Sequence, residues 1–122
     1  MFDHGLVHLA GMKQLTRLNL WRVAITNTGL EHLSGLTNMR WLNLDNTQIS
    51  DVGLAQLSAM NQLQFLHLGS TVVTDAGLKF LAPLTALEDL KVTRTAVTEE
   101  GVEELKKELP NTKIQLKYLG GD

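Results

Sequence analysis

The residues of this 122-residue chain that could do chemistry are few: four His, thirteen acidic residues, and two Trp with three Phe and one Tyr. There is no Cys, which removes thiolate nucleophiles, thiolate metal ligands and disulfides. His4 and His8 stand four apart, and His32 lies 24 residues beyond His8. On a helix the first two would share a face, the spacing of a weak Zn or Ni site. No carboxylate is placed to complete a ligand set, so these read as surface histidines and no metal is expected. Glu99-Glu100 and Glu103-Glu104 are carboxylate pairs, but general acid–base work needs a cleft, and this stretch is polar and helical. No Gly-x-Ser-x-Gly, His-Glu-x-x-His or phosphate-loop pattern occurs. The expectation is no enzyme and no cofactor. What is left is recognition chemistry: the aromatic rings Trp21, Trp41 and Phe65 among Arg17, Arg22, Asp45, His67, Lys91 and Arg94.

Length and composition limit how those side chains can be carried. The chain has one domain's worth of residues, 43% hydrophobic and 20% charged. No apolar run is long enough to span a membrane. Met1-Phe2-Asp3-His4-Gly5 lacks the basic start of a signal peptide, which together with the missing Cys favours the cytoplasm. A net charge of −2 and a pI near 6.0 argue against nucleic acid. Leu alone accounts for 24 residues, a bias that points to internal repeats.

Self-comparison gives a period of 24 with no gap over four copies. Leu15, Met39, Leu63 and Leu87 form one column. Leu18, Leu42, Leu66 and Leu90 form a second, and Leu20, Leu44, Leu68 and Val92 a third. Gly29, Gly53, Gly77 and Gly101 align without exception. In each copy the Leu-x-Leu core alternates with period two, which predicts a short strand. The Gly-Leu-x-x-Leu-x-x-Leu part recurs every three residues, which predicts a helix or 3₁₀ turn. Between them lie Thr26, Ser50, Thr74 and Thr98, expected as N-caps. Thr47, Thr71 and Thr95 follow the strand, where hydroxyls can satisfy the backbone of a bend. The Gly column has no capping role, so a close approach between neighbouring coils is expected there. One strand and one helix cannot bury their own apolar faces. Stacked copies can, giving continuous Leu rows and parallel strands.

At these residues the chain resembles leucine-rich repeat proteins. Leu63-x-x-Leu66-x-Leu68-x-x-Thr71 is similar to the family consensus. The continuation Val73-Thr74-Asp75-x-Gly77-Leu78 resembles the 24-residue form of long bacterial arrays of planctomycete type, related to F-box-type arrays. The resemblance implies an α/β horseshoe, with about five short parallel strands on its concave face and helices or 3₁₀ turns on the convex face. It also implies a single domain that binds proteins on the strand face. Residues 1–14 would be a partial repeat, 15–38, 39–62, 63–86 and 87–110 full repeats, and 111–122 a terminal edge strand and cap. Lys113 through Lys117 would be that strand, its Lys residues discouraging unwanted pairing. At the other end Leu6, Leu9 and Met12 would have no earlier coil to cover them. That edge is therefore expected either to be a cut from a longer protein or to self-associate.

If the Leu residues point inward, their neighbours point outward. The outward columns are Arg17, Trp41, Phe65, Asp89 and Lys113; Asn19, Asn43, His67, Lys91 and Gln115; and Trp21, Asp45, Gly69, Thr93 and Lys117. Arg22, Asn46, Ser70, Arg94 and Tyr118 follow at the strand ends. Trp41 and Phe65 should be lateral neighbours, with Arg17 stacked on Trp41. Aromatics surplus to the core, with Arg beside them, are the material of binding hot spots. Cross-strand ring pairs also stabilise a sheet by about 0.2–1 kcal/mol each. With Arg40 and Glu88 included, this face carries seven basic and three acidic residues, on a chain of net charge −2. An acidic or mixed-charge protein partner is expected. A glycan or small-ligand surface on the Trp and Phe residues, or a structural section of a longer array, are the alternatives.

Overall fold

The computed structural model describes residues 3–117. Tyr118 and the end of the expected cap lie outside the described residues. Five strands form one parallel sheet in sequence order: β1 (Arg17–Asn19), β2 (Trp41–Asn43), β3 (Phe65–His67), β4 (Asp89–Lys91) and β5 (Lys113–Gln115). The register follows the sequence period, with Leu18 opposite Leu42, Leu42 opposite Leu66, and Leu66 opposite Leu90. The helical layer is α1 (Asn27–Glu31), α2 (Asp51–Leu54), α3 (Asp75–Leu78) and α4 (Glu99–Glu108). Short 3₁₀ turns extend α2 and α3, at Ala55–Leu57 and Lys79–Leu81, and another covers Asp3–Leu9. The Leu-x-Leu and Gly-Leu segments thus become strand and helix as their periods require.

The Leu columns are the core. Met39, Leu42, Leu44, Leu63, Leu66, Leu68 and Leu90 are wholly buried. Each strand leads into a turn closed by Thr hydroxyls: Thr47, Thr71 and Thr95 donate to the carbonyls of Leu44, Leu68 and Val92 at 2.7–2.8 Å. The residue before each turn's last position is left-handed, with φ of 60° at Arg22 and Asn46, 51° at Ser70 and 56° at Arg94. The backbone N–H groups of Arg22, Asn46 and Ser70 donate to the next coil, at Asp45, Gly69 and Thr93 O. That bond holds residues without a glycine's freedom in a strained region.

The Gly column has a specific cause. Asp3 Oδ1 and Oδ2 accept from the N–H and Oγ1–H of Thr26 at 2.7 and 2.6 Å. Asp51 does the same for Thr74, and Asp75 for Thr98. Asn27 serves Ser50 in the same way, accepting from its N–H and donating to its Oγ. A Cβ on Gly29, Gly53, Gly77 or Gly101 would strike this Asp or Asn of the preceding coil. The close approach expected from sequence is therefore real, but it is made by a side chain locking one coil to the next. Thr26, Thr74 and Thr98 also cap their helices through Oγ1. Ser50 makes no side-chain cap bond, because its Oγ is taken up with the Asn27 amide.

The N-terminal edge corrects one expectation. Leu6 is wholly buried and Leu9 partly so, because the Asp3–Leu9 turn folds onto α1 and turns Leu6 into the core. Met12 does remain open, at 51% exposure. Leu15, Leu18 and Val23 are only partly buried, whereas their column partners one coil later are buried.

Candidate binding surface

The outward strand residues assemble as the register dictates. Arg17 lies opposite Trp41, and Trp41 opposite Phe65. The Arg17 guanidinium sits 3.7 Å from the Trp41 ring centre. Trp41 and Phe65 stack at 4.9 Å with their planes 9° apart. Lys91 Nζ lies 6.0 Å from the Phe65 ring centre on the far side. The result is a continuous cation–ring–ring–cation row across four coils, with both faces of Trp41 occupied. Such ring pairs are worth about 0.5–1.5 kcal/mol beyond their buried area. Trp21 stands apart, 53% exposed, with the Arg22 guanidinium 5.5 Å from its centre.

The next column has a repeated backbone duty. Asn19 Oδ1 accepts from Trp21 N–H at 3.0 Å, and Asn43 Oδ1 from Asp45 N–H at 2.9 Å. In the third coil His67 Nδ1 accepts from Gly69 N–H at 3.0 Å. An accepting Nδ1 is unprotonated, which assigns the ring proton to Nε2. The His67 edge also meets Phe65, the centres 6.4 Å apart and near perpendicular. Burial holds the His67 pKa below its ordinary value. Asp45 and Asp89 push it up and Lys91 pushes it down.

Beyond the strand ends the same face opens into a cleft of about 260 Å³. Trp21, Arg22, Asp45, Asn46, His67, Ser70, Thr93 and Arg94 line it. Five of the nine residues singled out from sequence meet here, and Arg17, Trp41, Phe65 and Lys91 form the neighbouring row. Lys91 is drawn away from solvent. It donates to Gln115 Oε1 at 2.9 Å and lies 3.6 Å from Asp89 Oδ1. Lys117 is less of a contributor to the basic face than its column suggests, since Glu99 of α4 stands 3.6 Å from its ammonium. The sequence reading passed over Ser70 and Thr93 as cleft residues. The signal for them was their place in the outward columns of Asp45 and Arg94. His4, His8 and His32 form no metal cluster among the described residues. Among those residues no helix is long and apolar enough to cross a membrane.

Parallel coils of strand and short helix, locked by Asp and Thr and presenting an aromatic-bearing strand face, define a repeat solenoid. The family model described as leucine rich repeat matches residues 13–73, half of the chain. The chain belongs to the leucine-rich repeat family. Members of that family generally mediate protein–protein interaction and are typically non-enzymatic. Among solved structures it is similar to internalin C2 of Listeria monocytogenes, with 29% identity and a TM-score of 0.75 over 88% of this chain and 44% of that one. An internalin, inlF, of the same organism gives 26% identity and a TM-score of 0.78 over 91% of this chain and 31% of that one. A leucine-rich repeat protein of Leptospira interrogans shares the fold, with a TM-score of 0.71 at 22% identity over 90% of this chain and 27% of that one. The chain thus spans less than half the length of these structures. No curated protein matches it.

Proposed function

We propose that this chain is a non-catalytic module that binds a protein of acidic or mixed charge on its concave strand face. The contact residues would be Arg17, Trp21, Arg22, Trp41, Asp45, Phe65, His67, Lys91 and Arg94. The observation that carries this reading is the Arg17–Trp41–Phe65–Lys91 row. It lies outside a core already filled by the Leu columns, so packing alone does not call for it. Rigid, pre-stacked aromatics flanked by Arg offer contact area at small entropic cost. The glycan alternative needs an open ring face. Trp41 has Arg17 on one side and Phe65 on the other, which leaves Trp21 as the single exposed platform among these three rings.

The test is selection of binders to the wild-type chain from a random-peptide display library. Acid-enriched sequences are expected, whose affinity falls at least about tenfold on Trp41→Ala and declines as salt is raised. Binders that ignore replacement of Trp21, Trp41 and Arg94 together would overturn this face and favour a purely structural section of an array. Binding that depends on Trp21 but is indifferent to Arg94 and to salt would favour the glycan reading.

A further inference from the structure

We infer that the strand face is ordered by charge and takes an extended protein segment lying across the strands, its acidic residue over β1 and β2 and its basic residue over β4. This rests on the concave-face reading above and names the partner's charge pattern. Two neighbouring rows run in the same order. Arg17, Trp41, Phe65 and Asp89 lie side by side on β1 to β4. Just before the strands, Gln64 N–H donates to Arg40 O and Glu88 N–H to Gln64 O, both at 2.8 Å, so Arg40, Gln64 and Glu88 form an exposed row beside the first. Each row passes from base through uncharged side chains to acid. Lys113, opposite Asp89 on β5, bounds the acidic step.

These charges are available to a partner. Arg17, Arg40 and Glu88 have no ion-pair partner among the described residues. An arginine packed on a ring, as Arg17 is on Trp41, keeps its N–H donors for a carboxylate. Asp89 is only partly answered. Lys91 Nζ stands 3.6 Å from its Oδ1, beyond hydrogen-bond range, and that oxygen accepts no hydrogen bond among the described residues. Lys91 directs its ammonium to Gln115 instead. Asp45, an acid at the basic end, turns its Oδ1 towards Gly69 of the third coil. Like charges set the register, since a segment slipped one coil towards β5 would bring its basic residue onto Lys113. Three strand spacings, about 14 Å, separate β1 from β4. An extended chain covers this in about four residues. The partner's acidic and basic residues thus share one face of the segment, with an apolar residue between them over Trp41 and Phe65.

The test uses the whole 122-residue chain, labelled with ¹⁵N, and three peptides. The mixed peptide is acetyl-Gly-Glu-Thr-Val-Thr-Lys-Gly-amide; the di-acid has Glu in place of its Lys, and the di-base Lys in place of its Glu. The mixed peptide should bind about threefold tighter than the di-acid, the size of one exposed ion pair, and the di-base should bind weakest. A basic face without order would instead take the di-acid tightest, which overturns the inference. Glu88→Lys changes an exposed side chain and should fold as before, but should make the di-acid the tighter ligand. An unchanged preference in that variant overturns the assignment of the basic residue to β4. A nitroxide on the acidic end of the mixed peptide should broaden the Arg17 and Arg40 amides, and one on the basic end those of Glu88 and Asp89. The opposite placement, or no shift of any strand-face amide, overturns the order. If the di-acid binds tightest while every peptide still depends on Trp41, the charge order fails and the binding face stands. If none depends on Trp41, the binding face fails and the order falls with it.

Discussion

At the residue scale, the most informative positions are those where a small or unusual residue is forced by its neighbour. Gly77 is glycine because Asp51 of the preceding coil lies where its Cβ would be. Gly77→Ala should cost about 1–3 kcal/mol in urea unfolding, the usual range for overpacking. Removing the blocking carboxylate as well, in Asp51→Ala with Gly77→Ala, should cost less than the two single changes added together. Strict additivity would show that the clash is not what fixes the glycine. His67 gives a pH prediction. Its folded pKa lies below the ordinary 6.5, so the unfolded chain binds the proton more readily. Its contribution is intact above that value and is lost as pH falls below 6.5 towards the folded pKa. The urea midpoint should therefore drop on acidification through this window, and His67→Asn should flatten that part of the profile. A wild-type curve no steeper than the variant's would refute the assignment.

At the element scale, each coil is a three-residue strand, a turn and a helix of one to three turns, none of which would persist alone. The left-handed turn residue is where local preference and coil stacking disagree. Ser70 at φ 51° is held by its N–H bond to Thr93 O. Ser70→Gly should relieve the strain and stabilise the chain by about 0.5–1 kcal/mol once the added freedom of the unfolded chain is offset. A loss of stability would show that the serine side chain contributes more than the strain costs. The strands also differ by position in the stack. Leu66 of β3 is wholly buried, whereas Leu18 of β1 is only partly so. Leu66→Ala should cost about 2–5 kcal/mol and Leu18→Ala clearly less, read from denaturant midpoints. Equal losses would mean that β1 is covered in solution. The period of 24 made these elements legible, since an aligned Leu column is a buried row whichever coil it comes from. The burial of Leu6 was not legible, because it depends on the Asp3–Leu9 turn folding back onto α1.

At the scale of the whole molecule, charge is distributed unevenly. The strand face is basic on a chain of net charge −2, so encounter with an acidic partner should be faster than with a neutral one and should slow with salt. Stopped-flow association of an acid-rich binder at two ionic strengths would check this, and a salt-independent rate would remove steering from the account. Part of the nominal charge is already answered within the protein, by Asp89 at Lys91 and by Glu99 at Lys117. The steering should therefore come chiefly from the Arg17 and Arg22 end of the face, and Lys117→Gln should change the rate little.

The sequence by itself determined the solenoid, its register and the membership of the outward columns. A gapless repeat makes every coil a translated copy, so one side chain's direction fixes the direction of its whole column. It also placed Arg17, Trp41 and Phe65 side by side for the same reason. Only the tertiary structure decided what those columns do together. Both faces of Trp41 are closed by neighbours from two other coils, Asp51 excludes a Cβ at Gly77, and Asp45, His67 and Thr93 close over Gly69 beside the cleft that they line. Each of these depends on the distance between side chains in adjacent coils. A repeat pattern sets which residues are neighbours, but the close packing of their atoms sets whether a given position is filled, blocked or left open to a ligand.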